Sequence, residues 1–94
     1  MAKSVTTVNP VRRSKLHKAA LVAMAGAGYA PAEYEVVHVE LFGDGTAAVH
    51  FAKAKVLAKN FEASFRTKRL VRTRTQRLVF SVPDAVASHY LPQG

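Results

Sequence analysis

Apolar and polar positions along the chain change period several times, and each change marks an element. Leu16, Ala20, Ala23, Met24 and Ala27 recur at helical spacing, while Arg12, Lys15 and Lys18 share another side of the same wheel. Asn9 as N-cap and Pro10 as first helical residue predict where this helix starts, and Gly26 and Gly28 predict its end. After Tyr29-Ala30-Pro31 the period becomes two. Tyr34 to Phe42 and Thr46 to Phe51 flank Gly43-Asp44-Gly45, a hairpin signal. A three-residue loop sets Phe42 opposite Thr46. It also pairs Leu41 with Ala47, Val39 with Val49 and Val37 with Phe51 on one apolar face. A shift of one residue would bring His50 onto that face.

From Ala52 to Phe65 the spacing is helical again, with Ala54, Leu57, Ala58, Phe61 and Phe65 on one side and Lys55, Lys59 and Glu62 toward solvent. Phe61 and Phe65 are expected in the core, where phenylalanine usually lies. The next stretch is rich in Thr and Val. It reads as a second hairpin, Phe65 to Val71 and Gln76 to Val82, around Arg72-Thr73-Arg74-Thr75, with Leu78, Phe80 and Val82 inward and Arg66, Lys68 and Arg77 outward. Ser81 and Asp84 have capping-box spacing ahead of a short helix with Val86 and Tyr90 inward and Pro92 at its end. The expected fold class is α+β. An N-terminal helix, a β-hairpin, a second helix, a second β-hairpin and a short C-terminal helix surround a small antiparallel sheet. Residues 1–94 form a single domain with residues 1–9 as an N-terminal arm.

Composition narrows the class. With 94 residues and 49% hydrophobic content the chain suits one globular domain with a modest core. It has no cysteine, so disulfides, thiolate zinc sites and cysteine nucleophiles are excluded, and a reducing, cytoplasmic setting is expected. The apolar run from Ala19 to Ala27 is too short to cross a bilayer, and its scarcity of Leu, Ile and Phe argues against a secretory leader. No membrane partner is expected.

Charge adds the strongest functional signal, because it is sorted into blocks. Residues 1–32 hold Lys3, Arg12, Arg13, Lys15 and Lys18 with no acid, and residues 33–50 hold Glu33, Glu35, Glu40 and Asp44 with no Lys or Arg. Residues 51–77 then carry nine cations, Lys53, Lys55, Lys59, Arg66, Lys68, Arg69, Arg72, Arg74 and Arg77, against Glu62 alone. A net charge of +8 distributed in this way attracts polyanions. A soluble helix ordinarily mixes both signs, and an edge strand needs only one or two charges to prevent aggregation. The blocks therefore favour phosphate contact. Guanidinium forks bind phosphate bidentately. The expected contact residues are Arg12, Arg13, Lys15, Lys18, Lys55, Lys59, Arg66, Lys68, Arg69, Arg72, Arg74 and Arg77.

Catalytic signatures are missing. The sequence has no HExxH, Walker loop or GxSxG, and Gly26-Ala27-Gly28 lacks the third glycine of a dinucleotide fingerprint. His89 and Tyr90 have no companion nucleophile or carboxylate pair. The hairpin register sets His38 opposite His50 on the outer face with Glu40 one step along, a donor set that suits zinc or nickel. Cross-strand histidines on an exposed face are more commonly plain polar surface, so no metal and no cofactor is assigned. The element order also departs from the double-stranded RNA module, which ends in its phosphate-binding helix, and from the ribonucleoprotein-type domain, which carries aromatics on a central strand. Tyr34 and Phe42 are the aromatics expected on exposed sheet, too few for a stacking groove.

The leading expectation is a small, non-enzymatic, basic nucleic-acid-binding protein, for DNA or RNA, that contacts phosphates with little sequence preference and forms homo-oligomers. A second reading is a structural or protein-interaction accessory module of the viral or mobile-element kind, docking through opposed acidic and basic faces. A small basic ribonuclease ranks last, for want of an acid, base and nucleophile set.

Overall fold

The computed structural model describes residues 5–90. The fold is α+β: a four-stranded antiparallel sheet with two main helices and a short C-terminal one. In chain order the elements are β1 (Thr6–Val8), α1 (Lys15–Gly26), β2 (Tyr34–Leu41), β3 (Thr46–Lys53), α2 (Ala54–Thr67), β4 (Gln76–Ser81) and α3 (Asp84–Ala87). The sheet order is β1-β2-β3-β4, with every neighbouring pair antiparallel.

The central hairpin has the expected loop. Phe42 N–H donates to the Thr46 carbonyl at 3.2 Å, and Leu41 pairs with Ala47, Glu40 with Ala48, Val39 with Val49 and His38 with His50. Gly43 and Gly45 adopt φ of +79° and +88°, angles that side-chain-bearing residues resist. The Asp44 carboxylate closes the loop by accepting from the Thr46 N–H at 3.0 Å and from the Thr46 hydroxyl.

The register slips beyond His38. A β-bulge at Val37 pairs Phe51 with Val36 rather than Val37, followed by Glu35 with Ala52 and Tyr34 with Lys53. The extra residue reverses the alternation toward the start of the strand. Tyr34 consequently turns inward instead of lying on exposed sheet. It joins Tyr29 and Phe51 in edge-to-face contacts with centroids 4.8–5.5 Å apart. An unbulged strand would have sent Glu35 into that core.

Helix α1 covers the inner face. Leu16, Ala20 and Met24 are fully buried against Val39, Leu41, Ala47, Val49 and Phe51, with Val82, Val86 and Ala87 completing the cluster. Leu78, Phe80 and Tyr90 pack on it, so the inward positions expected of β4 and α3 hold. Ala27 is instead exposed, at the C-cap, although the helix ends where the glycines indicate.

Several boundaries differ from the sequence reading, each for a local reason. The first helix starts at Lys15 rather than Pro10. Thr6, Thr7 and Val8 pair with Leu41, Glu40 and Val39, so the supposed arm contains an edge strand. The chain then needs a turn before it can coil. Ser14 N–H donates to the Val11 carbonyl at 3.0 Å, and Arg13 sits at φ +68°, which no α-helix accommodates. Ser14 replaces Asn9 as the cap, its hydroxyl accepting from the His17 N–H at 3.2 Å.

No second hairpin forms. Phe65 and Arg66 belong to α2, which runs on to Thr67 and stops where Lys68 takes the left-handed conformation, φ +58°. The Arg72-Thr73-Arg74-Thr75 stretch lacks the Gly or Asn that a tight hairpin tip demands, and β4 pairs with β3 instead. Ser81 is a strand residue. The cap of α3 is Pro83, with no side-chain cap hydrogen bond, so the capping box is not made. Residues 1–4 and Pro92 lie outside the described residues.

The largest correction concerns α2. None of its residues is buried, and Phe61 and Phe65 are 76% and 84% exposed. The inner face of the sheet is filled by α1 and α3, and among the described residues the apolar side of α2 is left facing solvent.

Candidate nucleic-acid interface

All twelve cations expected to meet phosphate are exposed. They fall into two groups with different supports. Arg12, Arg13, Lys15 and Lys18 flank the start of α1, which packs on β4 and α3. Arg12 Nη2 reaches Glu35 Oε1 at 3.5 Å, with both side chains largely in solvent, so the pair contributes little to stability. Among the described residues it is the single ion pair between a Lys or Arg and a carboxylate.

The second group is carried by α2 and the segment after it. Lys55, Lys59, Glu62 and Arg66 follow one another at spacings of four, three and four, which stacks them along one stripe of the helix. Three cations thus share a line with one acid. The opposite side of α2 carries Leu57, Ala58, Phe61, Ser64 and Phe65.

Residues 68–75 return alongside α2 and are tied to it by two side-chain bonds. Ser64 Oγ accepts from the Val71 N–H at 2.8 Å, and Asn60 Nδ2 donates to Thr73 Oγ1 at 2.8 Å. These contacts hold the segment extended without strand pairing. Val71, Thr73 and Thr75 are half-buried while Arg72 and Arg74 between them are exposed, an alternation of period two. Both guanidinium groups therefore project from the same side. Lys68 and Arg69, also exposed, precede them.

Between α2, the returning segment and the start of β2 lies an open groove of about 860 Å³, lined by residues including Val36, Val37, Leu57, Phe61, Phe65 and Leu70. Sequence reasoning missed it. The helical spacing correctly placed these apolar residues on one face, but no local signal says whether a sheet covers that face.

Arg77, expected on the outer side, pairs with His50 across β3 and β4, and its guanidinium carbon stands 5.6 Å from the Phe42 ring centroid, within cation–π range. On that outer face His38 and His50 stack, with centroids 4.2 Å apart and planes 18° from parallel. Glu40 Oε1 contacts His50 Nε2. The His38 pKa is lowered from 6.5, first by partial burial and then by the neighbouring His50, with Glu40 opposing both. Among the described residues no helix is long and apolar enough to cross a membrane. Comparison with known proteins finds no matching family model, no matching characterised protein and no matching solved structure.

Proposed function

We propose that this chain binds nucleic acid through phosphate contacts, without catalysis and with little sequence preference. The observation that carries the reading is the segment from Arg66 to Arg74. Five exposed cations, Arg66, Lys68, Arg69, Arg72 and Arg74, follow one another there with no acid interleaved; Glu62, one turn before Arg66 on α2, is the nearest acid in the chain, and Glu35 and Glu40 contact Arg12 and His50. Among the described residues none of Lys68, Arg69, Arg72 and Arg74 is in an ion pair, and a phosphate backbone would supply a partner. Lys55 and Lys59 share the stripe of Arg66 on α2, on the side away from the Asn60 and Ser64 contacts.

The experiment is a salt-titrated binding assay with single- and double-stranded DNA and RNA. Each phosphate contact contributes a slope of about −0.9 in log K against log salt for duplex DNA. Replacing Arg72 and Arg74 together by Ala should weaken binding and flatten the slope by nearly twice that amount. A slope identical to the wild type excludes the segment as the contact surface.

One observation favours a second reading, self-association, and that is the uncovered apolar side of α2 with Phe61, Phe65 and Leu70 exposed. Light scattering against salt separates its forms. Docking through acidic and basic blocks weakens as salt rises, whereas an apolar contact between two strongly cationic copies strengthens because repulsion is screened.

A further inference from the structure

We propose that His38, Glu40 and His50 form a binding site for a late first-row divalent metal ion, with zinc the ion it fits best. The site belongs to the outer face of the sheet and does not depend on the nucleic-acid reading.

The backbone brings the three donors together. His38 and His50 are directly paired across β2 and β3, and Glu40 lies two residues along β2, which returns it to the same face and makes it the diagonal neighbour of His50. One ligand atom from each residue falls within 4.8 Å of the others. Donor atoms around a tetrahedral zinc stand roughly 3.3 Å apart, from Zn–N bonds of about 2.0–2.1 Å. Binding would turn the two stacked rings about χ2 so that their nitrogens converge on one ion. The paired strands hold the main chain fixed while they do so, which keeps the entropic cost of assembling the site low.

The chemistry of the donors selects the ion. Two imidazoles and one carboxylate suit zinc, nickel or copper, whereas magnesium and calcium require oxygen-rich shells that this face does not offer. Three protein ligands leave at least one coordination position to water. The surroundings assist: the His50 and Glu40 side chains are 16% and 27% exposed, and Ala48 and Ala52, on the same face of β3, are buried. Arg77 is cross-strand from His50, and its guanidinium is engaged over Phe42.

A plain polar cluster gives the opposing account. There the His50–Glu40 contact and the stacked rings satisfy one another, and no ion binds. Isothermal titration of zinc chloride into the full chain, purified without a histidine tag and stripped of metal, decides between the two. The proposal requires one zinc per chain, a melting temperature that climbs with zinc concentration, and no response to magnesium. His38→Gln, Glu40→Gln and His50→Gln should each weaken zinc binding about tenfold or more, while His17→Gln and His89→Gln leave it unchanged. Circular dichroism confirms that each variant is folded, and any one folded variant of the first three suffices as a test. Absence of heat at millimolar zinc overturns the proposal, as does undiminished binding in His38→Gln or His50→Gln.

Discussion

His38 and His50 face each other across β2 and β3 with ring centroids 4.2 Å apart. Partial burial disfavours the charged form of His38, the neighbouring His50 adds to the effect, and Glu40 opposes both, so the His38 pKa is lowered from its ordinary 6.5. The unfolded chain, with His38 at its ordinary value, then binds a proton that the folded chain refuses. Stability from this source is complete above the unfolded pKa and declines as pH falls from 6.5 toward the lowered folded value. Urea unfolding between about pH 7.5 and 5 should show this decline in the wild type and a shallower one in His38→Gln, the difference isolating His38 from the carboxylates. Equal pH dependence in the two chains would contradict it.

Phe51 is the largest fully buried side chain and the residue on which Tyr29 and Tyr34 converge. Phe51→Ala leaves a cavity beneath α1 that the surrounding sheet cannot collapse to fill. The expected loss is about 3–5 kcal/mol, read from the urea midpoint at unchanged m-value.

Lys68 ends α2 in the left-handed conformation. A residue with a Cβ is strained by about 1–2 kcal/mol at such angles, and glycine is not, although glycine also gives the unfolded chain more freedom. The balance predicts that Lys68→Gly raises stability by about 0.5–1 kcal/mol while removing one charge from the basic segment. A lower melting temperature would count against this account of the helix end.

Phe61 and Phe65 touch little else in the chain, so their removal is predicted to be nearly neutral. Serine and phenylalanine have similar helix propensity, which makes Phe61→Ser with Phe65→Ser a clean probe of packing. The unfolding free energy of the isolated chain should change by no more than about 0.5 kcal/mol, in contrast to the 3–5 kcal/mol typical of core phenylalanines. A loss in the higher range means that another surface, a second copy included, covers the helix in solution.

The contrast between Phe51 and Phe61 shows where the sequence was informative. Period-two alternation on both sides of Gly43-Asp44-Gly45 yields the loop length, the His38–His50 pairing and the burial of Val39, Val49 and Phe51, because a one-residue slip would move every side chain to the wrong face. Alternation likewise identifies Leu78, Phe80 and Val82 as inward. Other features depend on partners distant in sequence. Thr6–Val8 is too short to carry a period, and its extended form comes from pairing with β2. The apolar spacing of α2 is genuine, yet burial requires a second surface, and α1 and α3 had already occupied the inner one. The candidate interface follows the same rule. Exposure of the cations was readable from their charge, whereas the outward alternation of Arg72 and Arg74 arises from Ser64 and Asn60 anchoring the residues around them.

The bulge at Val37 divides β2 into two halves with opposite phase. Toward the hairpin loop, even-numbered residues look outward and supply His38 and Glu40; toward the strand's start, even-numbered residues look inward and supply Tyr34 and Val36. A single inserted position thus lets eight consecutive residues serve an aromatic core at one end and an imidazole–carboxylate cluster at the other. Removing that one valine would fuse the two halves into a single uninterrupted alternation, whereas forcing it into the ladder would make one half exchange faces and send either Glu35 or His38 inward.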